Sequence, residues 1–359
     1  MNTFFISGVQ RSGTTLVSVL LSKHPDILLE RRSIVFRVIS CFKSMYDVMP
    51  YNLQVDNTKF LTWLIENDAH GRLAQLINTE EIDSTQNIVN LIQQSINGKL
   101  KDHGKKIWGD KSPNLEYFYN DIKLLMPKAK TLHIVRDGRA VAASMSTRSS
   151  RSLFLSAQIW VDGNIQAIVN QRIVGSESYK IIRYEDLLLD PQKTMESICK
   201  FLSIEFKPSI LNPDDAEVAE KEKYVKSTFD KSKIDMWKKK LTAKQLLRIE
   251  RIQGPILEKF GYQLETSKAT YKHKQLSTWQ RLRYKQADNF RSLFRSKRIG
   301  MVDRKNVEIK IPIKNRVYSF LKVFTQELFS VPIFKSLFPS VFYRKKRFDE
   351  NEVSNSEKR

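Results

Sequence analysis

The chain has 359 residues, 41% of them hydrophobic, enough to build one large domain or two smaller ones and to exclude a chain that lacks a core. Its net charge of +22 is uneven: from Lys268 onward 23 basic residues face 8 acidic ones, a net of +15, which leaves about +7 for the first 267 residues. The two cysteines, Cys41 and Cys199, exclude a disulfide framework and fit a reducing compartment, no metal site is implied, and no apolar stretch of about 18 residues offers a membrane-spanning helix.

The first predicted element is a strand over Thr3–Ser7. It starts too early to leave room for a secretory leader, so the expected location is the cytoplasm, with peripheral contact at a membrane surface left open. The strand runs into Gly8–Thr15, which nearly spells the phosphate loop of nucleotide triphosphatases. Gly8, Gly13 and Thr15 are in register with that pattern, but Thr14 stands at the lysine position and Arg11 lies inside the loop. Amides at a helix start bind phosphate-like anions in general, so the pattern points to an anion other than ATP or GTP. Arg11 offers a charged fork and Thr14 and Thr15 offer hydroxyl and backbone donors; a ligand-free turn that merely starts a helix is the alternative.

After a turn at His24, residues 34–98 carry helical periodicities, such as Phe60, Trp63 and Leu64 and then Leu73, Leu76 and Ile77, and read as a helical insertion over the site. A strand over Lys105–Trp108 leads to a loop holding Lys111, and a strand over Lys130–Val135 leads to Arg136, Gly138 and a helix bearing Ser144. Arg136 and Ser144 can reach one anion from two sides, which would make a second anion site. Asp137 and Arg139 can equally form a local ion pair that caps the helix. His133, inside the strand, reads as a core residue. A fourth strand over Tyr179–Arg183 precedes Tyr184, and helices are expected over Glu196–Leu202 and Ala243–Phe260, the latter closed by Gly261. Strands alternating with helices predict an α/β fold with a central, mostly parallel sheet flanked by helices, its ligands at the carboxyl ends of the strands. The α/β domain is expected to span residues 1–264.

Taken together, GVQRSGTTL and IVRDGRAVAAS resemble the paired signatures of sulfotransferases that use 3'-phosphoadenosine 5'-phosphosulfate. HPDILLE, WGDKSP, RYEDLLLDP and MWKKKL follow in family order, and the wording is most similar to the protein-tyrosine and carbohydrate branch. The resemblance implies a three-layer fold like that of the P-loop nucleotide triphosphatases and a phosphosulfate donor without bound metal. It places Arg11, Ser12, Gly13, Thr14 and Thr15 on the phosphosulfate, Arg136 and Ser144 on the 3'-phosphate, and Tyr184 against the nucleotide. Lys111 resembles the lysine that serves the leaving group. Glu30 is the candidate base, provided a short deletion is assumed, since ungapped counting from the His-Pro-Asp turn lands on Arg32. Glu30 can alternatively pair with Arg31, Arg32 or Arg37. Lys226, Lys231 and Ser232 are the candidates to lie over the nucleotide from the later segment, and spacing does not choose among them.

The implied reaction is sulfuryl transfer to a hydroxyl acceptor, a glycan or glycolipid being favoured over a protein tyrosine because a basic surface steers acidic acceptors. Arg32 and Arg37 are candidates to line the entrance. A nucleotide kinase or triphosphatase is disfavoured by the missing loop lysine, and a non-catalytic nucleotide or polyanion binding protein on the same fold stays open. Residues 265–347 form a basic, aromatic-rich extension in which Val317, Phe320, Leu321, Phe324 and Leu328 mark one helical face. Packing on its own domain or in a homodimer, or contact with anionic lipid, are the readings for it; nucleic acid is disfavoured. Residues 348–359 are expected to be disordered.

Overall fold

The computed structural model describes residues 2–31, 88–112, 114–149, 151–212, 229–267 and 272–294. Arg32, Arg37, Lys226, the insertion before residue 88 and the extension beyond residue 294, including the face from Val317 to Leu328, lie outside the described residues. The chain divides into a unit of residues 1–148 and 156–275 and a second of residues 149–155 and 276–359.

Among the described residues the first unit is built on five parallel strands: β1 (Asn2–Ser7), β2 (Ile27–Arg31), β3 (Ile107–Lys111), β4 (Lys130–Val135) and β5 (Tyr179–Arg183), in the order β2-β3-β1-β4-β5. The order reverses at β1, whose neighbours β3 and β4 follow each other in sequence, and such a switch point is where open α/β sheets bind ligands. The sequence predicted β1, β4 and β5 closely. It missed β2, and it placed β3 earlier, which left Lys111 in a loop; Lys111 is instead the last residue of β3, paired with Ile6 of β1 and Arg31 of β2.

The helices are α1 (Thr14–Ser22), α2 (Ile88–Asp102), α3 (Tyr119–Leu125), α4 (Gly138–Ser149), α5 (Leu153–Val174), α6 (Tyr184–Leu189), α7 (Pro191–Leu202), α8 (Ala243–Lys259) and, in the second unit, α9 (Thr278–Phe294). Strand alternation gives the sheet two unlike faces. One face sets Phe4, Ile6, Ile107, Leu132, Ile134 and Ile182 against Leu16, Leu20 and Leu21 of α1 and against Leu187, Ile198 and Leu202 of α6 and α7. The other carries Phe5, edge-on to Trp108 at 5.8 Å, and Tyr179, packed with Tyr119 of α3 and Ala167 of α5. It also buries Ser7 and His133.

The helix ends are locally encoded. Asp190 accepts the Lys193 amide at 3.0 Å with Pro191 as the first helical residue of α7, and Thr242 forms a reciprocal capping box with Gln245 at the start of α8. Gly261, at φ 77°, ends α8. In the second unit, Asp288 of α9 accepts the amide and hydroxyl of Ser152 at 2.9 and 2.5 Å, and Phe154 faces Tyr284. Among the described residues no helix is long and apolar enough to cross a membrane.

Candidate active site

The loop between β1 and α1 sits at the switch point. Ser12 donates its amide to the Val9 carbonyl at 3.1 Å, and Arg11 and Gly13 take left-handed conformations, φ 75° and 95°. Gly13 is required, because a Cβ there would lie 2.2 Å from Cδ2 of Tyr184, whose ring closes over the loop. No side chain caps α1, so the amides of its first turn face out at the carboxyl end of β1, beside the half-buried Thr14 and Thr15. The Ser12 hydroxyl is buried without a hydrogen-bond partner among the described residues.

The loop after β4 supplies the second group. Arg136 donates through Nη2 to the Lys233 carbonyl at 2.8 Å and through Nη1 to the Arg11 carbonyl at 3.4 Å. Its guanidinium lies 4.7 Å from the Tyr184 ring centre, and its Nε is buried with no partner among the described residues. Tyr184, buried at the first position of α6, is thus sandwiched between Gly13 and Arg136. Ser144, in the second turn of α4, accepts from Arg11 Nε at 3.1 Å. Arg11, Arg136, Ser144 and Tyr184 therefore meet around one loop. Lys231 and Ser232 are exposed in a short 3-10 turn, Lys231–Lys233, whose backbone reaches Arg136; Ser232 is engaged by Asp230, its hydroxyl at 2.6 Å.

Asp137 and Arg139 do other work. Asp137 accepts the Arg139 amide at 2.8 Å, which caps α4, and its carboxylate takes Arg139 Nη2 at 2.7 Å. Arg139 also donates to Glu250 of α8 at 2.6 Å and stacks 4.2 Å from the Trp237 ring centre. The motif between β4 and α4 thus alternates one arginine that faces the loop with one buried as a clamp. Burial raises the pKa of Glu185, although its carboxylate accepts the Asp137 amide at 3.0 Å and the Tyr262 hydroxyl at 2.7 Å, and it fixes the turn from below.

On the opposite flank of β1 stand Lys111 and Glu30. Lys111, half-buried, ends β3 level with Ile6. Glu30 lies on β2 opposite Asp110. Its Oε1 pairs with Lys99 of α2 at 2.6 Å, and its Oε2 accepts Trp108 Nε1 at 2.9 Å. Two groups from different elements thus fix the carboxylate, which has about four lone-pair sites and keeps some open. Lys99, Lys233, Glu116 and Trp160 went unmarked in the sequence, since lone residues inside helices and 3-10 turns carry no motif.

A parallel sheet reversing at β1, an uncapped helix start and converging arginines define an α/β fold with a candidate anion site. The chain belongs to the sulfotransferase family: the profile described as "Sulfotransferase family" matches residues 3–208, and that described as "Sulfotransferase domain" matches residues 172–261. It is 28% identical over 225 residues to a protein-tyrosine sulfotransferase of Drosophila melanogaster, covering 60% of this chain and 40% of that one. It is also 28% identical over 218 residues to protein-tyrosine sulfotransferase A of Caenorhabditis elegans, covering 58% and 51%. The chain spans about half the length of the curated relatives it matches. The sulfotransferase domain of the Synechococcus PCC 7002 olefin synthase shares the fold, with a TM-score of 0.53 at 22% identity over 73% of this chain and 96% of that domain.

Proposed function

We propose that the protein transfers a sulfuryl group from 3'-phosphoadenosine 5'-phosphosulfate to a hydroxyl acceptor. The observation that carries this reading is the division of the site about β1, with an anion loop and Arg136 on one side and Lys111 with a held carboxylate on the other. The residues fit a nucleotide with two anionic groups. The orphaned Ser12 hydroxyl and Arg136 Nε, together with the uncapped α1, are donors awaiting acceptors.

The donor, when bound, supplies the activated sulfuryl group. Arg11, Ser12, Gly13, Thr14 and Thr15 would hold its phosphosulfate, and Arg136 and Ser144 its 3'-phosphate, with Tyr184 supporting Gly13 and Arg136 from below. Lys231 and Ser232 lie near Arg136 through the Lys233 backbone and serve the nucleotide side. Lys111 would place positive charge where the departing oxygen gains electron density. Glu30, oriented by Lys99 and Trp108, would take the proton of the acceptor hydroxyl as its oxygen bonds to sulfur.

A glycan or glycolipid is the acceptor the basic charge favours. A protein tyrosine is the second reading, favoured by the names of the relatives. The deciding experiment gives the protein donor labelled in its sulfur, together with polysaccharide, glycolipid and tyrosine-peptide acceptors in separate reactions. Label in the polysaccharide or lipid supports the first reading and label in the peptide the second. Binding of adenosine 3',5'-bisphosphate with no label in any acceptor would leave a nucleotide-binding protein without transfer.

A further inference from the structure

On the sheet face that carries Phe5 and Tyr179, one buried polar network runs between the two anion loops. It starts at Glu116, in the 3-10 turn Leu115–Phe118 after β3, whose side chain is only 1% exposed. Its Oε2 accepts the Ser7 hydroxyl at 2.9 Å, and its carboxyl also takes the Gly8 amide, so it grips the last residue of β1 and the first of the loop. Helix α5 closes on this contact at Gly163, where a Cβ would lie 2.6 Å from Val9 Cγ2 and 3.1 Å from Glu116 Oε1. Asn170 of the same helix donates to the Glu116 carbonyl at 2.8 Å.

From Ser7 the network continues to His133 of β4, whose Nδ1 lies 3.3 Å from the Ser7 hydroxyl and 3.2 Å from that of Tyr179. His133 Nε2 faces Asn164 Oδ1 at 3.2 Å, and Asn164 donates to the Trp160 carbonyl at 2.7 Å. That arrangement places the ring proton on Nε2 and leaves Nδ1 to accept the Tyr179 proton, while Ser7, whose own proton goes to Glu116, sits beside the ring. Trp160 then donates Nε1 to the Arg136 carbonyl at 2.9 Å, at the point where the second loop leaves β4. Ser7, His133, Asn164 and Trp160 are all fully buried, so each broken link would strand a polar group away from water.

We propose that Glu116 and Trp160 are positioning residues that hold the two anion loops at the separation a nucleotide with two anionic groups requires, Glu116 through Ser7 and Gly8, Trp160 through the Arg136 carbonyl. The proposal rests on the nucleotide reading of the site. Its specific content is that the two ends of the network serve different ligand groups. Loss of Glu116 disturbs the first loop alone, whereas loss of the Trp160 donor disturbs only the loop that carries Arg136.

The test is calorimetric titration of wild type, Glu116→Gln and Trp160→Phe with adenosine 3',5'-bisphosphate and with adenosine 5'-monophosphate, with thermal unfolding recorded in parallel. Glu116→Gln, which turns one acceptor oxygen into a donor, is expected to weaken both nucleotides by the same factor, about five- to tenfold. Trp160→Phe is expected to weaken the bisphosphate by about as much and to leave the monophosphate unchanged. If Trp160→Phe does not fold, Trp160→Met removes the same donor and carries the same expectation. Lower melting temperatures with both affinities unchanged would show a merely structural network and overturn the proposal alone. A wild type that binds neither nucleotide would overturn the nucleotide reading and the proposal with it.

Discussion

Arg136 and Arg139 are three residues apart in one motif, and the structure assigns them separable consequences. Replacing Arg139 with Met removes a guanidinium that is 4% exposed and bonded to Asp137 at 2.7 Å, Glu250 at 2.6 Å and the Gln263 carbonyl at 2.9 Å. Breaking a buried ion pair from one side costs about 3–5 kcal/mol. Glu250 keeps the amides of Glu265 and Thr266, both at 2.9 Å, and Asp137 keeps the Arg139 amide, so the lower end applies, about 3 kcal/mol. For a unit of this size that is a fall in Tm of roughly 6–12 °C. Arg136→Met loses a part-exposed bond to the Lys233 carbonyl and the stack on Tyr184, about 1 kcal/mol and no more than about 4 °C. Its affinity for adenosine 3',5'-bisphosphate should instead fall about 10- to 100-fold, since a bond to a charged group contributes about 1.5–3 kcal/mol. Differential scanning fluorimetry and calorimetric titration of the two variants measure both quantities. Equal destabilisation by the two substitutions, or wild-type nucleotide affinity in Arg136→Met, would refute the division of roles.

Three further outcomes are expected. Glu30→Gln should lower turnover about 100- to 10,000-fold while leaving bisphosphate affinity within about twofold, measured by steady-state sulfuryl transfer and titration; near-normal turnover would remove Glu30 as the base. Gly13→Ala drives a Cβ 2.2 Å from the Tyr184 ring at φ 95°, so nucleotide affinity should drop at least about tenfold and stability by about 2 kcal/mol, and an unchanged melt would contradict the close packing. His133 is held neutral by burial, which lowers its pKa from 6.5 to about 4, so the unfolded chain binds the extra proton between those values and stability is lost as pH falls through that window. His133→Gln should therefore lack about 2 kcal/mol of the wild-type loss at pH 5, read from urea unfolding at pH 5 and pH 7.5; parallel curves would show that His133 does not titrate with folding.

The sheet was legible where one strand's own residues decide it and obscure where neighbours do. Lys130–Val135 and Tyr179–Arg183 are apolar, β-branched runs, and they form strands at those bounds. Gly109, Asp110 and Lys111 look like turn residues, yet they pair with β1 on one side and β2 on the other, and ladder bonds to two strands outweigh local preference. Ile27–Arg31 is a short edge strand, half-buried after its first residue, with no alternation to mark it. The same contrast governs the site. Backbone chemistry announces itself in sequence, so the glycines and threonines of the first loop and the arginine after β4 were visible. Glu116, Asn164 and Trp160 act by side-chain contact across 109, 31 and 24 residues of separation, and only the fold brings them together.

The lysine missing from the opening loop can be placed physically. A lysine at position 14 would put its charge at the start of α1, over the same anion that the helix amides and Arg11 already serve. Lys111 instead stands at the end of β3, one strand away, beside the strand in which Glu30 is held by Lys99 and Trp108. On the proposed reading the charge that receives a departing oxygen and the base that receives a proton then approach from the β2–β3 side, while the nucleotide is gripped from the β4–β5 side. Moving the cation off the loop thus frees the space over β1 for a group passed between two partners. The exchange of lysine for Thr14 and the presence of Lys111 belong to a single arrangement, with charge distributed around a transfer rather than concentrated on a triphosphate.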